Sequence, residues 1–145
     1  MNALDWARRR VDPAAATAVF LAGDLLAIAV FVLMGELSHG YGLADAARIA
    51  GTYAQFLLGW LAVSVLAGVY AGDYRRRLRR STGLVLGAWL GAVLVAQALR
   101  STAAFPGNAA VSFAAVAFFV GGVLLVTWRL TLALVTSRLR STAPA

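Results

Sequence analysis

The sequence predicts an all-α polytopic membrane protein, a bundle of four transmembrane helices. Of its 145 residues 61% are hydrophobic and only 13% charged, with a mean hydropathy of +0.80. A soluble domain of this size leaves too much surface exposed to hide so much apolar area. Four apolar runs, at about 14–34, 50–71, 83–99 and 109–135, approach or exceed the ~17–25 residues a spanning helix needs, the third being the shortest. None alternates with a period of two, which argues against a barrel. Residues 1–145 therefore read as one integral membrane domain.

The first run follows Arg8, Arg9 and Arg10. It is too long for a signal peptide, and no small-x-small cleavage site follows, so it reads as a retained helix. Asp12-Pro13 is expected to open it, with Asp as cap and Pro in the first turn. The polar connection GELSHGYGLADAAR leads to the second helix. Ser81 and Thr82 are expected to cap the third. The fourth carries Trp128-Arg129 toward its far end.

Arginine placement sets the orientation. Arg8, Arg9, Arg10, Arg75, Arg76, Arg77, Arg79, Arg80, Arg138 and Arg140 fall on one side, and only Arg48 and Arg100 on the other. The positive-inside rule then puts both termini in the cytoplasm, as expected of a multi-pass protein of the cell membrane. The RRRLRR loop also suits anionic lipid head groups at Arg75, Arg76, Arg77, Arg79 and Arg80. Topology explains the net charge of +7 more simply than nucleic-acid binding, which is not expected. There is no Cys, and His39 is the single His, so thiolate chemistry and multi-His metal sites are not expected. No phosphate loop, dinucleotide fingerprint, paired carboxylates or nucleophile–base pair is visible, so neither an enzyme nor a bound cofactor is expected.

Asp24 is the outstanding residue. It lies ~15 Å deep in a ~30 Å hydrocarbon core, where an ionised carboxylate costs at least ~2.5–3.5 kcal/mol on insertion scales. It must face the bundle, find a partner or bind a proton. Depth counting sets Gly59-Trp60, Gly91 and Gly121-Gly122 in the same layer, so the Trp60 indole N–H is a candidate donor to a neutral Asp24. Arg129 admits two readings. If the fourth helix starts at Ala109, Arg129 reaches the inner interface as an ordinary snorkelling anchor beside Trp128. If the helix starts later, Arg129 lies deeper and pairs with Asp24. Beyond the first helix, Glu36, Ser38, His39 and Arg100 form a candidate outer vestibule, with a plain solvated turn as the alternative.

Small residues must supply helix packing in lipid. Gly83, Gly87 and Gly91 form one stripe on the third helix, and Ala88, Ala92 and Ala96 a second. Gly121 is the corresponding position on the fourth helix, and Gly68 and Gly72 lie on the second. Such stripes serve a single bundle and a homo-oligomer equally.

Taken together, Gly23-Asp24, Ser38-His39-Gly40, Phe56-Leu57-Leu58-Gly59-Trp60, Gly68-Val69-Tyr70, Leu99-Arg100, Ser112-Phe113 and Trp128-Arg129 have an order and spacing that resembles a family. It is the four-helix membrane proteins known as domain of unknown function 3054, found in haloarchaea and actinobacteria. The resemblance covers nearly the whole chain and implies a membrane location and four spans. It brings no catalytic residues. Two functions are expected to compete: a small transporter or channel with Asp24 on a proton or ion path, and a structural or accessory membrane subunit whose Asp24 pins helices.

Overall fold

A computed structural model describes residues 3–72 and 78–141. Its helices are α1 (Ala3–Arg10), α2 (Ala15–Ser38), α3 (Ala46–Ala67), α4 (Leu78–Arg100) and α5 (Val111–Ser141), with a single 3-10 turn, Leu43–Asp45, leading into α3 and no strand among the described residues. Helices α2 to α5 are each long and apolar enough to cross a membrane, which makes this a multi-pass membrane protein. They run alternately up and down. Each packs against the next, and α5 returns to α2, closing a four-membered ring. The upper end holds the 36–48 and 100–111 connections. The lower end holds α1, the 68–72 turn and the last turns of α5.

The helix boundaries shift several expectations. Helix α2 continues to Ser38, so Glu36 is helical and buried rather than part of a loop. Its N-cap is Ala14, not Asp12. The Asp12 carboxylate instead accepts the Ala14 N–H at 3.1 Å, forming a turn that precedes the helix. Helix α3 stops at Ala67, earlier than the hydropathy implied, because Gly68 adopts a left-handed φ of 71°. That conformation is nearly free for glycine and ends the helix. Gly68 and Gly72 therefore pack no helix. Helix α4 already includes Leu78, which leaves Ser81 and Thr82 inside it rather than at its cap. Arg75, Arg76 and Arg77, assigned above to lipid head groups, lie outside the described residues, as do the side chains of Arg79 and Arg80.

Packing follows the alanine stripe. Ala88, Ala92 and Ala96 are buried against neighbouring helices. A Cβ added at Gly83 or Gly87 would meet nothing within 4 Å, so these two are not packing positions. The reason is helical phase: residues four apart precess by about 40°, and only the Gly91 end of that stripe turns toward α3. There a Cβ would sit 2.8 Å from the Val63 side chain. The tightest backbone approach is at Gly59, where a Cβ would lie 2.6 Å from the Ala92 carbonyl oxygen. Gly121 makes room for the Trp89 indole, whose N–H donates to the Ala117 carbonyl at 3.0 Å. Gly91→Leu should lower the thermal unfolding midpoint of the detergent-solubilised protein, while Gly87→Leu leaves it unchanged. Equal losses would show that both glycines are packed.

At the lower end the chain folds back on itself. The Asp12 N–H donates to the Tyr70 carbonyl at 3.0 Å, and Val11 and Tyr70 pair as an isolated parallel bridge. The Arg10 guanidinium donates to the Leu66 carbonyl, closing the end of α3. Val69 and Tyr70, although past the helix, are thereby buried.

Candidate functional site

Two polar groups occupy the bundle, one in its lower half and one at its upper end. The lower group centres on Asp24, which is fully buried, 0% exposed. Helices α2 and α5 are antiparallel neighbours. Asp24 lies about 14 Å along α2 from Ala15, and Arg129 about 14 Å back along α5 from Arg138, so the two meet at one depth. Arg129 Nε donates to Asp24 Oδ1 at 3.0 Å, and Arg129 Nη2 to Oδ2 at 2.5 Å. This fork-on-carboxylate geometry is the strongest neutralisation a buried carboxylate can receive from one side chain. The Phe20 ring lies 5.2 Å from the guanidinium and the Tyr70 ring 5.6 Å away, both placed for cation–π contact.

Of the two readings of Arg129, the structure shows the pair with Asp24 and not the interface anchor. Helix α5 extends to Ser141, well beyond the apolar run, so its lower end lies past Arg129. The Trp60 expectation is also modified. Its indole N–H donates not to Asp24 but to the Tyr70 hydroxyl at 2.9 Å, and Tyr70 donates to Asp24 Oδ2 at 2.7 Å. Burial chiefly, then the negative charge and hydrogen bond of Asp24, push the Tyr70 phenol above its usual range. It stays protonated and remains a donor. Tyr70→Phe removes one donor from Asp24 and the acceptor from Trp60. Thermal unfolding in detergent should show a loss of about 1–3 kcal/mol; no loss would mean the hydroxyl is solvated in the native bundle.

Next to Asp24, Gly23 is a close-packed position, where an added Cβ would collide with the Trp128 indole. This contact lets α2 and α5 approach closely enough for the neighbouring pair, Asp24 and Arg129, to meet.

Above this cluster lies an aromatic layer. Phe31 meets Phe56 edge-on at 5.1 Å, Phe56 stacks on Trp89 at 5.6 Å, and Trp89 meets Trp60 at 6.2 Å. Phe31 and Phe56 form the floor of a cavity of about 530 Å³ at the upper end. The four vestibule residues Glu36, Ser38, His39 and Arg100 all line it, and so do Arg48 and Thr52. Glu36 accepts from Arg48 Nε at 2.9 Å and from the Thr52 hydroxyl at 2.6 Å. Arg48 also lies over the Tyr41 ring at 3.9 Å. Arg100 is held differently. Its Nε donates to the Asn108 carbonyl at 3.2 Å and its Nη1 to Gln55 Oε1 at 3.3 Å, while its guanidinium covers the Phe113 ring at 4.0 Å. Gln55 in turn donates to the Pro106 carbonyl at 2.9 Å, tying α3 to the 100–111 connection.

Sequence reasoning missed Tyr70, Arg48, Thr52 and Gln55 as site residues. Tyr70 stands in a Gly-Val-Tyr run directly after a helix-ending glycine, which is the one signal that it returns to the bundle. Arg48 carried a topological explanation that concealed its ion pair.

No curated protein and no solved structure matches the chain. A protein-family model described as "Protein of unknown function (DUF3054)" matches residues 21–132, a stretch that holds Asp24, Tyr70, Arg129 and every residue lining the upper cavity. The chain thus belongs to the DUF3054 family, the one its sequence resembles.

Proposed function

We propose that this protein is a small-solute transporter of the cell membrane, with the upper cavity as loading site and the Asp24–Arg129–Tyr70–Trp60 cluster as a closed gate. The observation that carries the reading is the asymmetry of the bundle. One end holds a cavity of about 530 Å³ in which charged and polar side chains stand over an apolar, largely aromatic wall. About 18 Å further along α2, the other half is closed by a buried, hydrogen-bonded ion pair. A solute cavity open at one end and closed toward the other is the form that one state of an alternating-access cycle takes. In this reading Asp24 acts through its partner rather than as a free proton site. Arginine distribution orients the upper end outward, with α1 and the end of α5 in the cytoplasm.

Two measurements test this. In vesicles of known sidedness, a cysteine placed at Ser38 should react with an impermeant maleimide from outside, and one at Asp5 only after permeabilisation; the reverse pattern inverts the orientation. In stopped-flow swelling assays, proteoliposomes should admit a permeant organic solute faster than protein-free vesicles, and Ser112→Trp, which plugs the cavity, should abolish the difference. Swelling no faster than in protein-free vesicles would reject transport.

One observation favours a second reading, a structural or accessory membrane subunit. Asp24 is fully buried and accepts three hydrogen bonds from Arg129 and Tyr70, as a static pin between α2 and α5 would. In that case neutralising the pair together would leave solute permeation and side-chain accessibility unaltered.

A further inference from the structure

We infer that the upper cavity is a site for a small organic monoanion, a carboxylate with an apolar body, and that Arg100 is its recognition residue. The inference rests on reading the cavity as a solute site and names the class of solute.

The charges facing the cavity are Arg48, Arg100 and Glu36, with His39 at its rim. Glu36 is committed to Arg48 and Thr52. Arg100 has only neutral partners among the described residues, the Gln55 and Asn108 oxygens and the Phe113 face. Yet it is only 8% exposed. Glu36 acts on it only through space and is opposed there by Arg48; a buried cation with no carboxylate in contact is costly unless an anion supplies the missing charge. The neutral contacts fix the guanidinium plane while leaving some of its N–H donors uncommitted, and a planar fork suits a carboxylate. One surplus positive charge calls for one negative charge.

The remaining walls describe the rest of the ligand. Phe31, Phe56 and Phe113 with Val32 and Val116 provide an apolar floor and side, and the volume lies within the range of small-molecule sites. A strongly hydrated anion such as phosphate would leave that floor unmatched. A carboxylate on an aromatic or branched aliphatic body fits both halves.

Radiolabelled benzoate is the probe, with its neutral isostere benzamide as competitor, on the full chain in detergent. Benzoate should bind saturably, with affinity falling as chloride rises, and benzamide should not compete. Arg100→Gln should weaken benzoate binding about tenfold or more, with Arg100→Lys intermediate because it keeps the charge but loses the fork. Because Arg100 also ties down residue 108, Ser112→Trp provides a second variant that occludes the cavity without touching Arg100; it too should lose binding. Decanoate and acetate distinguish the source of the acid. Stronger competition by decanoate marks a bilayer-borne acid and stronger competition by acetate a soluble one, and each retains the carboxylate site. Equal competition by benzamide, or unchanged benzoate binding to folded Arg100→Gln, would overturn the inference. Benzoate binding without uptake into proteoliposomes would reject transport while leaving the anion site intact. Uptake of other solutes without benzoate binding would do the opposite.

Discussion

Arg129→Leu should destabilise the bundle by about 3–5 kcal/mol, the largest loss expected from any single side-chain truncation in this protein. The change leaves the fully buried Asp24 carboxylate with Tyr70 as its remaining donor. Asp24→Leu should cost a similar amount for the complementary reason, a stranded guanidinium held between Phe20 and Tyr70. The double variant Asp24→Leu/Arg129→Leu removes both charges at once. It should be markedly more stable than either single variant, because replacing a buried ion pair by apolar groups is often close to neutral. Denaturant unfolding of the four proteins in one detergent completes the cycle. Additive losses would mean that the two side chains do not interact in the native bundle.

Gly23→Leu is expected to have the second largest effect. Any side chain at residue 23 enters the volume of the Trp128 indole. Either that ring leaves its place or α2 and α5 separate, and separation pulls apart the adjacent Asp24–Arg129 contact. Overpacking alone costs about 1–3 kcal/mol, and loss of the ion pair adds to it. Gly23→Ala combined with Trp128→Ala should recover most of the stability lost by Gly23→Ala, since the small side chain then fills vacated space. If the double variant is no better than Gly23→Ala, the ring is not what residue 23 meets.

These two contacts show where a one-dimensional reading succeeds and where it stops. Asp24 was legible because a charge inside an apolar run is costly and must be explained. The four spans were legible because bilayer thickness fixes their length. The partner of Asp24 was legible only as one of two readings, since the depth of Arg129 depends on where α5 begins and ends, and hydropathy does not mark the bounds of a helix that runs from Val111 to Ser141. Tyr70 was invisible as a ligand of Asp24 because its position depends on the Gly68 turn and on the pairing of residue 70 with the segment after α1. At the upper end, Glu36, Ser38, His39 and Arg100 were grouped by side of the membrane and by the three-residue spacing of Glu36 and His39. Their assembly with Arg48 and Thr52 required α2 to continue to Ser38 before the chain turns into α3. The glycine stripe misled for a geometric reason: spacing by four conserves neighbourhood along a helix but not direction, so Gly87 faces outward while Ala88 and Ala92 are buried.

The central claim is that the lower cluster is a gate and not a fixed pin. Ser64 offers the most direct test, because its side chain is fully buried one turn below Trp60 and the chain has no native cysteine. Labelling of Ser64→Cys by an impermeant maleimide from the cytoplasmic side should be slow. Adding Asp24→Asn and Arg129→Gln together keeps polar side chains at both positions but removes their mutual attraction, and labelling should then accelerate about tenfold or more while the helical content is unchanged. Equal labelling rates in the two folded proteins would contradict the gate and leave the ion pair as a permanent bond between α2 and α5.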